Sequence, residues 1–367
     1  MSKRILFVTP ALSKAGAETQ MVKLASFLKS AGFDIAIISL LPQNDYTIDL
    51  TAADIKVFYL KSWKANPFSN LKELNQKVKA FNPDITIAFM FIGIIFARLL
   101  KLRFKFKLIS SIRAAEIPGK WYVPFKLSLV LDDVVVFNAE SSRLRFEQLS
   151  LVKKGGVVIN NAITIPSFTE QSERVKDDVF EWICVAHFRS EKDYPTLFKA
   201  VSIIKDRDFR LIVVGHLFNQ TWPLQMLQDL HIEDKVQLLG FRSDTGSCLY
   251  HADAFVVSSF TESMPNAILE AMANKKIVIG PDVGGVKSLI ESAKSGLSFQ
   301  QGNVDELARK MSEVMRMDAE ERELFGTRGR NFVKDNFAES IVMDQWLKVI
   351  NKQLSLKTLP KMEIIPS

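Results

Sequence analysis

Residues 258–285 read SSFTESMPNAILEAMANKKIVIGPDVGG, and their order decides the fold. A strand ends in SSF, a loop carries Glu262, a helix follows, KIVIGP is a second strand, and a loop closes on Gly284 and Gly285. A helix between two apolar strands is the repeating unit of a parallel sheet. Glu262 and Glu270 stand eight positions apart, a little over two helical turns, so both carboxylates are expected to point the same way near a helix start. Free amides at a helix start attract phosphate. Carboxylates beside them accept hydrogen bonds from sugar or ribose hydroxyls. The pair therefore suits a ligand with both groups, as in a nucleotide-sugar. Taken alone, Glu262 would be a helix cap and Glu270 a solvated helix residue.

Outward from this stretch the same alternation recurs. KRILFVTP reads as a strand, and QMVKLASFLKSAG as a helix with Met21, Leu24, Ala25 and Leu28 at helical spacing. FDIAIISLL, VFYL, PDITIAFM, FKLISSIR, DVVVFNAE and GGVVINNAI supply further strands, with helices around 68–81, up to 101 and near 123–131. The polar stretch 166–178 has no periodicity and reads as a linker. The alternation then restarts with FEWICVAHF, FRLIVVGH, VQLLGF, AFVVSSF and KIVIGP, and ends in a helical C-terminus. The expected fold is α/β, with two doubly wound Rossmann-like domains facing a cleft. The expected boundaries are 1–165, 166–345, and a tail over 346–367 whose candidate packing partner is the N-terminal domain.

The 367 residues exceed one ordinary core, in keeping with two domains. Two cysteines, Cys184 and Cys248, offer neither a disulfide framework nor metal-ligand spacing. The longest apolar run, residues 85–97, is too short to span a bilayer. Residues 1–165 carry 23 lysines and arginines against 12 acids, and the remainder 25 against 29. A basic half points to an anionic partner. Nucleic-acid recognition patterns are missing, so an anionic membrane surface or a lipid-pyrophosphate acceptor fits better. LKLRFKFKLIS, residues 100–110, alternates with period two. It reads as a strand with Lys101, Arg103, Lys105 and Lys107 on one side, either a solvated edge or a basic membrane-facing patch.

Several segments together resemble family-4 glycosyltransferases of the GT-B architecture, from Arg4 to about Trp346. TESMPNAILEAMANKKIVIGPDVGG is similar to that family's E-x7-E segment and Gly-Gly phosphate loop. VTPALSKAGAET is similar to its GGAE entry, with Ala15 in place of the first glycine. VAHFRSEKDYPTLFKA resembles its basic donor-phosphate motif, LLGFRSDTGSCLYHADAFVVSS the segment under the base, and VVINNAI the turn before the linker. The resemblance implies a retaining glycosyltransferase moving a hexose or N-acetylhexosamine from a nucleotide-sugar, UDP-linked first and GDP-mannose second. The implied acceptor is a lipid-linked or other saccharide in surface-polysaccharide assembly, at the cytoplasmic face of the plasma membrane.

The resemblance assigns Glu270 to the ribose and Glu262 to the donor sugar. Lys192 would neutralise the diphosphate. Pro265 and Asn266 are further expected donor-binding residues, and Gly284, Gly285 and Gly16 would let the backbone approach phosphate. The family's usual arginine is replaced by His187, with Arg189 two residues on, so the diphosphate contact lies with one of the two. Ser288 stands where a glutamate is usual after Gly-Gly. All four histidines, 187, 216, 231 and 251, fall in the second half, so the N-terminal domain supplies none. Arg113 and Glu116 in SSIRAAE are candidate acceptor contacts. Asp206 and Asp208 match Asp-x-Asp but precede a strand, at the wrong end for a cleft, and read as a solvated turn. No metal or other cofactor is expected. The alternative is a sugar-nucleotide epimerase of the same architecture.

Overall fold

The structure is a computed structural model that describes residues 2–13, 16–61, 65–114, 116–167, 179–242, 244–262 and 264–358. It divides into two units, Met1–Ala162 with Ser340–Ser367, and Ile163–Glu339. In the first, the described residues form the strands β1 (Arg4–Thr9), β2 (Asp34–Ser39), β3 (Lys56–Tyr59), β4 (Ile85–Phe89), β5 (Lys107–Ile112), β6 (Val134–Phe137) and β7 (Val157–Val158). They pair in parallel in the order β3-β2-β1-β4-β5-β6-β7. In the second, β8 (Phe180–Val185), β9 (Phe209–Val214), β10 (Val236–Gly240), β11 (Ala254–Val256), β12 (Ile277–Pro281) and β13 (Gly296–Phe299) pair in parallel as β10-β9-β8-β11-β12-β13. Two doubly wound α/β units follow, as the alternation predicts.

The central strands β1, β4 and β12 are apolar over most of their length because both faces are covered. In β1, Ile5 and Phe7 join one core with Met21, Leu24, Ala25 and Leu28 of the helix Gly16–Ser30. Leu6 and Val8 join the other with Ile94 and Ala97 of the helix Met90–Lys101. The second unit repeats this: Trp182 and Cys184 face one core and Ile183 the other. Strand order reverses between β1 and β4, and again between β8 and β11. Such switch points open a crevice at the carboxyl ends of the strands.

Three expectations need correction. First, 100–110 is not one alternating strand. The helix runs to Lys101, residues 102–104 turn, and only Lys107 begins β5. Lys101 and Lys107 both pair with Asp133, so the row of like charges is dispersed. Second, the units hand over at Ala162 and again after Glu339, not at 165 and 345. The helix Glu339–Thr358 is continuous and carries Val342, Met343, Trp346 and Ile350 into the core of the first unit. Ile163 and Glu339 lie side by side: Ile163 N–H donates to the Phe337 carbonyl at 2.8 Å and Thr164 Oγ1 to Glu339 Oε1 at 2.7 Å. Third, β13 interrupts the expected helical C-terminus. The linker reading of 166–178 falls almost wholly outside the described residues, as does Ala15. No helix among the described residues is long and apolar enough to cross a membrane.

Arg98, which ends the apolar run in the sequence, lies fully inside. Its Nε donates to Asp132 Oδ1 at 2.9 Å, Nη2 reaches Oδ2, and Nη1 donates to the Phe125 carbonyl at 2.8 Å. Arg98→Ala would leave a buried carboxylate unpaired and should remove roughly 3–5 kcal/mol of stability. Chemical denaturation measures this.

Candidate active site

The carboxyl ends of β8 and β11 bring the site together. After β8 the chain forms a 3-10 turn, Ser190–Lys192, and then the helix Tyr194–Ile203, capped by the Asp193 side chain. Tyr194 holds this loop: its hydroxyl donates to the Ala186 carbonyl, and its ring stacks on Phe188 at 3.9 Å. The loop after β11 is stitched to it. Phe260 N–H donates to the Glu191 carbonyl at 2.8 Å, and Ser258 Oγ to the Asp193 carbonyl at 2.9 Å.

Lys192 and Glu262 meet across this seam. Nζ of Lys192 lies 2.5 Å from Oε1 of Glu262, with the side chains 23% and 12% exposed. Ser259 Oγ donates to the same carboxylate oxygen at 2.9 Å. Glu262 therefore caps no helix. It belongs to the loop, and the helix Asn266–Ala273 starts four residues later, with no side-chain cap from Pro265. The helical spacing inferred between Glu262 and Glu270 does not hold, because only Glu270 is helical. Pro265 is buried, while Asn266 and Glu270 are half-buried.

The glycine loop after β12 closes against Glu262. Gly284 has φ +50°, and a Cβ there would stand 2.1 Å from the Glu262 carbonyl oxygen. Gly285 is the N-cap of the helix Val286–Ala293, which no side chain caps. Val286 N–H already donates to the Val283 carbonyl at 3.0 Å, and the helix dipole, about +0.5 charge at this end, favours an anion there. Ser288, in that helix, is exposed.

His187 follows β8. Its Nδ1 accepts from His216 N–H at 3.0 Å, so in the neutral ring the proton resides on Nε2 and only that atom donates. Phe218 and Phe241 flank the ring at 5.8 and 6.3 Å. Arg189 is exposed, its guanidinium 5.7 Å from the Phe218 ring centre. The aromatic group and Ser259 were not singled out in the sequence. Nor was Gly215, where a Cβ would stand 1.8 Å from the Ala186 carbonyl oxygen. A glycine ending the apolar run LIVVG was its available signal.

The remaining candidates belong to the first unit. Gly16 opens the helix after β1. Arg113 follows β5 and has no carboxylate partner among the described residues: Nε donates to Ser111 Oγ at 2.9 Å, and Nη1 to the Ile159 carbonyl at 3.1 Å and Asn161 Oδ1 at 3.0 Å. Phe89 and Trp346 lie 5.6 and 5.5 Å from its guanidinium. Burial lowers its pKa to about 9. Glu116 is exposed and pairs with Arg145 at 3.3 Å. Asp206 and Asp208 sit in an exposed turn at the amino end of β9.

Residues 10–118 match the family model "Glycosyl transferase 4-like", and residues 167–332 match "Glycosyl transferases group 1". The chain is a family-4-type glycosyltransferase with the GT-B fold. An N,N'-diacetylbacillosaminyl-diphospho-undecaprenol alpha-1,3-N-acetylgalactosaminyltransferase from Campylobacter jejuni is 24% identical over 384 residues, covering 93% of this glycosyltransferase and 97% of the relative. Among solved structures, a glycosyltransferase from Rickettsia africae superposes with a TM-score of 0.82 at 22% identity, over 98% of this chain and 100% of that one. Anabaena Alr3699/HepE in complex with UDP-glucose superposes with a TM-score of 0.82 at 18% identity, over 95% and 99%. These likenesses carry the fold. In this glycosyltransferase, Lys192 and Glu262 are bonded within the second unit and the Gly284 loop packs against the Glu262 backbone.

Proposed function

We propose that this glycosyltransferase moves a hexose or N-acetylhexosamine from a UDP-sugar, with retention, to a lipid-pyrophosphate-linked saccharide in cell-surface polysaccharide assembly. The observation that carries the proposal is the Lys192–Glu262 pair with Gly284 packed on the Glu262 backbone. The donor diphosphate would lie on Lys192 and the amides after Gly284, with His187 Nε2–H as a neutral donor and Arg189 moving in from the rim. Glu262 would accept from the donor sugar and Glu270 from the ribose.

Transfer would proceed on one face of the sugar. The anomeric C–O bond to the diphosphate breaks while the acceptor oxygen bonds the same carbon. A diphosphate oxygen takes the acceptor proton, and Lys192 stabilises the growing charge. Because a lysine supplies that positive charge, transfer is expected to persist in EDTA. The Campylobacter relative is named for a diphospho-undecaprenol acceptor and an alpha linkage, which supports a lipid-linked acceptor here. Arg113, a cation bonded to neutral oxygens, would hold an anionic group of that acceptor. Location at the inner face of the plasma membrane follows from such an acceptor.

UDP should raise the melting temperature more than GDP or ADP. Glu270→Ala should weaken UDP binding roughly tenfold or more, the loss of a charged hydrogen bond to ribose. A GDP-selective shift would favour the mannose donor instead. Product inverted at the anomeric carbon by NMR would refute the retaining step. Conversion of the nucleotide-sugar without any acceptor would favour an epimerase.

A further inference from the structure

We propose that the outward face of residues 119–131 docks this chain on an anionic lipid bilayer. The segment runs as a 3-10 turn Gly119–Trp121, a helix Tyr122–Ser128, and a second 3-10 turn Leu129–Leu131. Phe125 is fully buried and defines its inner side. At 3.6 residues per turn, Val123, Leu127 and Val130 lie roughly 140–200° away from it. They are 67%, 78% and 65% exposed. Lys120 shares this outer stripe and Lys126 borders it, both exposed.

A second segment is tied alongside. Arg98 bonds the Phe125 carbonyl and Ser128 Oγ, and Lys101 Nζ donates to the Leu131 carbonyl at 2.7 Å. Next to these anchors, Leu99 and Leu102 are 55% and 70% exposed. Exposed Arg103 and Lys105 follow. Single exposed leucines are ordinary, but a contiguous apolar face rimmed by charge marks an interaction site. Neither 99–110 nor 117–131 contains an acid. The whole first unit has 27 lysines and arginines against 14 acids. Leucine and valine entering the headgroup boundary, with lysines on phosphate headgroups, is how interfacial helices hold anionic membranes. Half-buried Trp121 and Tyr122 at the same segment suit that depth. This charge pattern commits the face to anionic lipid rather than to a protein. The inference goes beyond the sugar-transfer reading and does not rest on it.

The full chain should cosediment with two-to-one phosphatidylcholine–phosphatidylglycerol vesicles and be released by added salt. Val123→Glu with Leu127→Glu should lower partition about tenfold or more. Lys120→Gln with Lys126→Gln should lower it roughly fivefold per lysine on the mixed vesicles, and leave binding to phosphatidylcholine alone unchanged. Both variants should keep the wild-type melting temperature and its shift with UDP. A missing UDP shift in wild type would count against the donor proposal and leave vesicle binding standing. The docking proposal is overturned if wild type stays in the supernatant with mixed vesicles, or if the glutamate variant sediments like wild type. It is equally overturned if light scattering finds a dimer that the glutamate variant dissolves, because the face would then be covered by a second copy.

Discussion

Lys192→Ala is expected to lower kcat/KM for sugar transfer by about 10²–10³-fold, the range seen when one preorganised charge stabiliser is removed. Two effects act in the same direction. The diphosphate loses its cation as the leaving charge grows. Glu262, mostly shielded from water, is left with Ser259 alone and repels the phosphate. Lys192→Ala combined with Glu262→Gln separates them: restoring part of the loss would show that the stranded carboxylate contributes, and the two losses should not add. The melting temperature should also fall in Lys192→Ala, because a largely shielded carboxylate loses its cation, and should recover in the double variant. A loss below tenfold in Lys192→Ala would remove this lysine from the reaction.

Gly284→Ala should be of similar severity, acting through position instead of charge. The new Cβ would sit 2.1 Å from the Glu262 carbonyl oxygen, at φ +50°. The left-handed conformation alone costs an alanine roughly 1–2 kcal/mol. The overlap is worse, because the atom it meets is backbone and cannot rotate aside. The loop must retreat by an ångström or so, and a displacement of that size near the reacting atoms can cost about 10²-fold in rate. Transfer and UDP affinity should therefore fall together. Gly302→Ala is the control: its φ is +73° but nothing lies within 4 Å of its Cβ. It should lose stability and keep activity. Equal activity losses in the two variants would mean that backbone strain, not the approach to Glu262, is responsible.

Much of the fold was legible because parallel strands buried on both faces leave apolar runs of strand length. ILFV, IAII and LIVV announce themselves, and the helices between them show a 3.6-residue period. The alternation at 100–110 misled because LKLRFKFK matches a strand pattern while Lys101 ends a helix and Phe104 lies in a turn; long-range pairing with Asp133 decides it. Strand β13 escaped because four residues with only Phe299 fully buried carry little signal. At the candidate site, the residue types were readable from order and spacing. Their contacts were not. That Glu262 bonds Lys192, seventy residues earlier, depends on β8 and β11 being neighbours, which is topology rather than local pattern. The tautomer of the neutral His187 ring likewise depends on a backbone amide from the loop after β9.

The crossing of the helix Glu339–Thr358 bears on biosynthesis. The polypeptide's opening half is translated first, yet Val342, Met343, Trp346 and Ile350 complete its interior. The later half, Ile163–Glu339, can mature while its predecessor still waits. Until residue 350 leaves the ribosome, the places these four side chains fill would stay empty and open to chaperones. A protein cut after residue 162 should therefore aggregate, and adding back a peptide of residues 339–358 should rescue it.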